Sequence, residues 1–174
     1  MSLLIIIIVI VFIYILTIYN SLIRGRNKVR QAASAIDVYL TERFDLIPNL
    51  VECVKGYAKH EKEIFITITK MRENYYQKRQ LKDGEILNNE FNKIIAVSEN
   101  YPELKASEQF LQLQKKLAKI ESQLQAARRI YNGEVNVYNN KVQTFPNNIL
   151  AGLFNFREVE YFEAEYEAKS NIKV

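Results

Sequence analysis

The chain has 174 residues and a mass of 20.4 kDa, and its 48% hydrophobic and 25% charged content is typical of one folded domain. One His, one Cys and five Gly exclude a zinc site with two His ligands, an intrachain disulfide and a Gly-rich phosphate loop. The mean hydropathy of −0.18 averages a very apolar N-terminus with a polar remainder.

Residues 1–23 are predicted to form a transmembrane anchor. Every residue from Leu3 to Leu16 is apolar, and the apolar segment continues to Ile23. At ~1.5 Å per residue, a helix from Leu3 to Ile23 spans roughly 31 Å, close to the ~30 Å hydrocarbon core of a bilayer. A cleaved signal peptide is the alternative, but the segment lacks a basic region before it and a small-x-small cleavage site after it. We therefore expect an uncleaved anchor.

Four cations follow the anchor without an intervening acid, namely Arg24, Arg26, Lys28 and Arg30. The positive-inside rule predicts that they keep the following body in the cytoplasm, with the N-terminus outside. They also account for the whole formal net charge of +4. Because basic and aromatic residues are not interleaved elsewhere, we expect the lipid bilayer rather than nucleic acid to be their partner.

Apolar residues at helical spacing follow the anchor in two stripes. The first comprises Val29, Ala32 or Ala33, Ile36, Leu40 and Phe44, and the second comprises Ile47, Leu50, Val51, Val54, Tyr57, Ile64, Ile68 and Met71. Pro48 lies between them and removes a backbone donor, so it either kinks one helix or stands in the first turn of a new one. Asp45 is a suitable cap for a new helix, which favours a break.

Turns are predicted at Lys82-Asp83-Gly84 and Asn100-Tyr101-Pro102, with a short helix from Ile86 to Ser98 between them. A long helix then runs from an N-cap at Ser107 to Pro146. Its apolar residues recur every three or four positions, as in a coiled-coil seam: Phe110, Leu113, Leu117, Ile120, Leu124, Ala127, Tyr131, Val135, Tyr138, Val142 and Phe145. We predict an all-α antiparallel bundle of about four long helices over residues 24–168, with a tail at 169–174.

The sequence does not complete any of the three catalytic residue patterns that it partly resembles. His60-Glu61 lacks the second His that a zinc-protease helix needs at position 64, where Ile64 stands. A di-iron Glu-x-x-His pair is also missing, because Tyr57 occupies the Glu position. Cys53 has no recognisable base in its sequence neighbourhood. The sequence therefore predicts no catalytic, cofactor-binding or metal-ligating residues, and no enzyme.

One polar pattern recurs beside the core positions. Tyr131-Asn132 is repeated one heptad later as Tyr138-Asn139, which stacks like residues on one face of the helix. This pair of Asn residues either fixes register with a partner or satisfies polar groups within the monomer.

A set of ordered motifs runs along the chain: Arg26-Asn27-x-Val29, Ile36-Asp37-Val38, Asp45-Leu46-Ile47-Pro48-Asn49-Leu50-Val51, Val54-Lys55-Gly56-Tyr57-Ala58-x-His60-Glu61, Tyr101-Pro102-x-Leu104-Lys105-Ala106, Phe110-Leu111-x-Leu113-Gln114, Ala127-Arg128-x-x-Tyr131-Asn132 and Phe145-Pro146. Together these motifs resemble those of the LemA family of bacterial membrane-anchored proteins. The resemblance implies one N-terminal membrane helix and an antiparallel helical bundle, without an established reaction. It marks Asn27, Asp37, Asp45, Pro48, Asn49, Gly56, Tyr57, His60 and Glu61 as candidate interaction or structural residues, to which the repeat adds Tyr131, Asn132, Tyr138 and Asn139.

The resemblance also implies a place in the bacterial inner membrane. Some relatives resemble lipoproteins with an exported body, which is the alternative orientation here. Our leading hypothesis is a membrane-tethered, non-enzymatic scaffold or adaptor for another membrane or cytoplasmic protein. One alternative is an accessory hydrolase or metal-dependent enzyme that gathers Asp37, Asp45, His60 and Glu61. Another is a self-assembling structural protein that forms homo-oligomers through the Asn132 and Asn139 face.

Overall fold

A computed structural model describes residues 1–57, 62–78, 93–96 and 98–162, and the regular secondary structure in this part of the chain is helical. The expected turn at residues 82–84 and most of the short helix expected over residues 86–98 lie outside it, although residues 93–96 are helical. The all-α prediction is confirmed. Besides residues 93–96, the helices in the described part of the chain are α1 (Ser2–Asp45), α2 (Ile47–Lys55), α3 (Lys62–Lys78), α4 (Pro102–Ala106), α5 (Glu108–Gln143) and α6 (Asn147–Leu153).

The chain divides into two compact units. The first contains Met1–Ser34 and Ala127–Val174, and the second contains Ala35–Ala126. Within the first unit α1 and α5 run antiparallel: Lys141 Nζ donates to Ser21 Oγ at 3.3 Å, and the Tyr138 ring lies beside Gly25 one turn further along α1. Within the second unit, Arg43 at the end of α1 forms a 2.5 Å ion pair with Glu121 of α5.

A single residue separates α1 from α2. Leu46 has helical backbone angles, φ −80° and ψ −14°, and its carbonyl accepts a 3.0 Å hydrogen bond from the Leu50 N–H. Pro48 therefore stands in the first turn of α2, where the missing N–H is tolerated. The two helices are interrupted at Leu46, but the backbone stays helical there, so the chain does not turn away as the favoured break implied. Helix α2 also has no side-chain cap, so the capping role expected of Asp45 is wrong.

Most of the predicted stripe residues that the structure describes are buried in the cores of the two units. Tyr57 departs from its stripe and is 41% exposed, Leu113 is only partly buried, and the burial of Ile64, Ile68 and Met71 lies outside what the structure describes. Buried side chains in α1 and α2 are Ile18, Leu22, Val29, Ala32, Ile36, Leu40, Phe44, Ile47, Leu50, Val51 and Val54. Those in α5 are Phe110, Leu117, Ile120, Leu124, Ala127, Tyr131, Val135, Tyr138 and Val142. Phe145 departs from the expected seam and is 79% exposed, because α5 ends at Gln143 and the helical register ends with it.

Helix α6 ends in a Schellman motif. Asn155 takes the left-handed conformation with φ 57°, and its N–H donates to the Gly152 carbonyl at 3.3 Å. The next N–H, of Phe156, donates to the Ala151 carbonyl at 2.8 Å. These bonds satisfy carbonyls at the end of α6 and turn the chain into the extended segment that follows.

Candidate functional site

The N-terminal part of α1 is long and apolar enough to cross a membrane, and α1 with α2 is the one candidate span in the described part of the chain. Its residues are exposed almost throughout until Ile18, and Leu22 is completely buried. Of the four predicted topology-setting cations, Arg24, Lys28 and Arg30 are exposed. Arg26 is half-buried, with its guanidinium 5.1 Å from the centre of the Phe156 ring. Three of the four cations are thus exposed, and the fourth packs against an aromatic ring.

The repeated Asn residues of α5 bind an extended C-terminal segment, residues 157–162. The Asn139 amide donates to the Val159 carbonyl at 2.8 Å and accepts from the Val159 N–H at 2.9 Å. Asn132 makes the same pair of bonds with Phe162, at 2.9 Å and 2.8 Å. One heptad of helix rises about 10.5 Å, and three extended residues advance about 10 Å, so the two spacings coincide.

Aromatic and charged side chains hold the same segment. The Tyr131 hydroxyl donates to the Glu160 carbonyl at 3.1 Å, and the Arg128 guanidinium lies 4.6 Å from the centre of the Phe162 ring. Burial, assisted by the negative charge of Glu160, raises the pKa of Tyr131. Burial also raises the pKa of Tyr138, although the nearby Arg26 charge opposes the shift. The Asn132 and Asn139 face is therefore covered by the chain itself.

Asp37 and Asp45 each accept a hydrogen bond from a tyrosine of α3. Asp37 is bound by the hydroxyl of Tyr75, a fully buried side chain whose ring stacks on Phe44 with centroids 4.2 Å apart. Asp45 is bound by the hydroxyl of the partly exposed Tyr76 at 2.5 Å. Both carboxylates therefore join α3 to the end of α1.

This arrangement does not gather an acidic catalytic pair. Asp37 and Asp45 are eight residues apart on one helix, about 12 Å along its axis, and each has its own tyrosine. His60 and Glu61 lie outside the described residues, so their convergence with the two Asp residues is untested. Within the described residues no three His, Cys, Asp or Glu side chains are placed to hold a metal ion.

A shallow groove of about 520 Å³ lies between α2 and the first turns of α5, within the second unit. Its lining residues are Asn49, Glu52, Cys53, Gly56, Tyr57, Gln109, Gln112, Leu113 and Lys116. Burial raises the pKa of the Cys53 thiol, and a side-chain hydrogen bond with Ser107 opposes the shift. The groove thus offers amide, charged and aromatic groups around a thiol that stays protonated at neutral pH.

Three residues marked by the family resemblance, Asn49, Gly56 and Tyr57, line this groove. Pro48 is exposed in the first turn of α2, and Asn27 is exposed on α1 in the other unit. The α5 side of the groove was not predicted. Gln109, Gln112 and Lys116 recur at steps of three and four residues, which was the available signal for a polar face.

Known proteins match most of this chain. The sequence model of the LemA family covers residues 32–174. The chain belongs to the LemA family. It is 27% identical over 150 residues to Protein LemA of Metamycoplasma hominis, and this match covers 83% of the chain and 68% of that relative.

Two further relatives are the magnetosome proteins MamQ 1 and MamQ 2 of Paramagnetospirillum magneticum. Each is 22% identical over 175 residues, with 83% of this chain covered. The chain spans 64% of the length of each MamQ protein, so about a third of each lies outside the match.

Proposed function

We propose that this LemA-family protein is a single-pass, non-enzymatic membrane adaptor that presents the groove between α2 and α5 to a segment of another protein. The observation that carries the proposal is the dual role of α1. Its first residues are apolar and exposed, as a lipid-facing helix requires, whereas Leu22 and Val29 of the same helix are buried in the first unit. A folded body is thereby joined to a membrane anchor without a flexible linker.

The groove suits a polypeptide better than a small substrate. It is open and shallow, and Asn49, Gln109 and Gln112 offer both donors and acceptors to a backbone. Leu113 and Tyr57 supply apolar contact area, and Glu52 and Lys116 supply one charge of each sign. A protein segment with mixed polar and apolar side chains is the partner that matches these groups.

The proposed location is the inner membrane, with the N-terminus outside and the body in the cytoplasm. Arg24, Lys28 and Arg30 support this orientation because they are exposed directly after the apolar segment. Cations at that position retain the adjacent flank on the cytoplasmic side.

A site-specific crosslink in living cells tests the adaptor role. A photoreactive amino acid at Gln112 places the crosslinker in the groove, and the same residue at Ala118 places it on another exposed face of α5. We expect Gln112 to capture a discrete protein that Ala118 does not capture. Gly56→Arg, which crowds the groove with a long charged side chain, should reduce the Gln112 product. Equal capture from both positions would contradict a specific docking surface.

A further inference from the structure

Helix α6 and its flanks expose an apolar surface in the first unit. Ile149 and Leu153, one turn apart on α6, are 62% and 74% exposed, and Phe145 and Phe154 on either side are 79% and 45% exposed. The opposite face of the segment is buried through Ala151 and Phe156. The outward apolar side chains are therefore held in place, because the opposite face of the segment is packed into the first unit.

This surface lies beside the C-terminal end of the membrane anchor, where the chain leaves the bilayer. The Phe154 ring meets the Tyr19 ring edge to face with centroids 5.0 Å apart, and the Phe156 ring meets Tyr19 at 5.7 Å. Tyr19 is about one helical turn before Ile23, the last residue of the apolar segment. Tyrosine is enriched at this depth, where an apolar ring body and a polar hydroxyl are both satisfied.

The charge pattern agrees with a lipid neighbour. No charged residue occurs between Lys141 and Arg157, a stretch that contains all of the exposed apolar side chains named above. Lys141 and Arg157 bracket the stretch, and the Lys141 ammonium group lies at the level of Ser21. An uncharged apolar segment between two cations is suited to acyl chains flanked by anionic headgroups.

The length of α1 that is not covered by protein gives an independent reason to expect lipid contact at α6. Protein covers α1 from Ile18 onward, which leaves Leu3 to Thr17 free, or about 22 Å of helix. A hydrocarbon core of ~30 Å exceeds this by about 8 Å. Interfacial helices bury their apolar face by a comparable ~5–10 Å, so immersion of α6 would make up the difference.

We propose that the segment from Phe145 to Phe156 is a second, interfacial membrane contact, in which the α6 apolar face enters the headgroup and acyl boundary of the bilayer crossed by α1. The occupant of this face is lipid. The inference rests on the membrane anchor of the proposed function. It adds a second contact that sets how deeply the first unit sits in the bilayer.

Depth-dependent fluorescence quenching tests this contact. The full-length chain, with Cys53→Ser and one environment-sensitive fluorophore on an introduced cysteine, is reconstituted into vesicles of phosphatidylcholine and phosphatidylglycerol with plain or brominated acyl chains. We expect brominated lipid to lower the emission of a label at Leu153 about twofold. A label at Ile130, equally apolar and 61% exposed but far from the anchor end of α5, should be nearly unaffected.

A label at Ile10 separates the two hypotheses. Quenching at Ile10 without quenching at Leu153 would overturn the interfacial contact and leave the anchor intact. Absence of quenching at Ile10 would overturn both. A blue shift at Leu153 without bromine quenching would show that protein covers the face, and would also overturn the proposal.

A charged variant tests whether the apolar face causes the contact. In I149E/L153E with the label at Phe145, quenching should fall to the Ile130 level, because carboxylates are expensive to place among acyl chains. Ile130→Glu with the same Phe145 label is the matched control and should retain quenching. Both substituted side chains are exposed, so unchanged helical circular dichroism is expected. Quenching that persists in I149E/L153E would overturn the role of this face.

Discussion

An asparagine side chain carries the same donor and acceptor groups as a backbone peptide, which explains the repeat in α5. Asn132 and Asn139 pair with Phe162 and Val159 as a neighbouring strand would. Among the natural side chains only glutamine carries the same carboxamide, and its additional methylene would alter the fit. The residue type and its heptad spacing together select an extended segment in one register.

Asn139→Asp is expected to destabilise the first unit. Aspartate can still accept from the Val159 N–H, but it cannot donate to the Val159 carbonyl and places a charge at a site only 5% exposed. We expect a loss of about 1–3 kcal/mol, measured by urea unfolding of the detergent-solubilised full-length chain. Asn140→Asp is the control, since Asn140 is exposed and its amide donates to the side chain of Asn136. Equal losses in both variants would contradict a stabilising role of the two hydrogen bonds between Asn139 and Val159.

Alkaline pH should weaken the same unit through Tyr131 and Tyr138. Their pKa values are raised in the folded state, so the folded chain holds these protons to a higher pH than the unfolded chain does. Their contribution is complete below about pH 10, the ordinary tyrosine pKa, and is lost as the pH rises through the folded-state values. Unfolding free energies measured from pH 8 to 11 should fall less steeply in Y131F/Y138F. Parallel curves for the two proteins would refute this linkage.

At the scale of whole helices, α1 and α5 approach closely where α1 carries Gly25. A Cβ atom added there would lie 3.1 Å from Cδ2 of Tyr138, whose side chain is 1% exposed and has little room to move. Glycine in a helix interior normally weakens it by about 0.5–1 kcal/mol relative to alanine. Gly25 is therefore a position where close helix contact outweighs helix propensity.

Gly25→Leu and Gly133→Leu should change stability in opposite directions. Leucine at 25 has to displace the Tyr138 ring, which costs about 1–3 kcal/mol, whereas the Cβ at exposed Gly133 meets nothing within 4 Å. Gly133→Leu should gain a few tenths to ~1 kcal/mol from helix propensity. Thermal unfolding in detergent would report a lower midpoint for the first variant and a higher one for the second. The same sign for both would mean that α1 and α5 are less tightly joined at Gly25.

The periodic elements could be predicted from sequence, and the contacts made by extended segments could not. The stripe from Val29 to Phe44 gave the buried face of α1, because a helix converts spacing directly into a face. The pairing of Asn139 with Val159 depends on where the chain travels after α6 ends, which no local pattern encodes. Phe145 illustrates the same limit, since its spacing fits the seam but its helix has already ended.

Only one of the two sides of the groove could be predicted from the sequence. Its α2 side was marked by family motifs at Asn49, Gly56 and Tyr57, whereas its α5 side depends on which residues the bundle places opposite α2. Gln109 and Gln112 look like ordinary surface residues in sequence. Tertiary contact alone turns them into groove residues.

For the molecule as a whole, orientation across the membrane decides which partners are available. A cysteine introduced at exposed Lys115, in a Cys53→Ser background, should resist a membrane-impermeant thiol reagent in intact cells and react after lysis. Neutral residues at Arg24, Lys28 and Arg30, with Lys at Ser2, should weaken that protection because the charge bias is reversed. Labelling of the original charge pattern in intact cells would place the body, and its groove, outside.

The pairing of α1 with α5 also constrains how the protein is made. Ser21 and Lys141 are 120 positions apart, so the ribosome completes the anchor long before it completes the helix that covers Leu22 and Val29. Such distant pairing makes folding slow relative to local helix formation. We therefore expect membrane insertion to precede folding. The nascent α1 would be held at the translocation machinery, and its apolar stripe would stay uncovered until α5 has been synthesised.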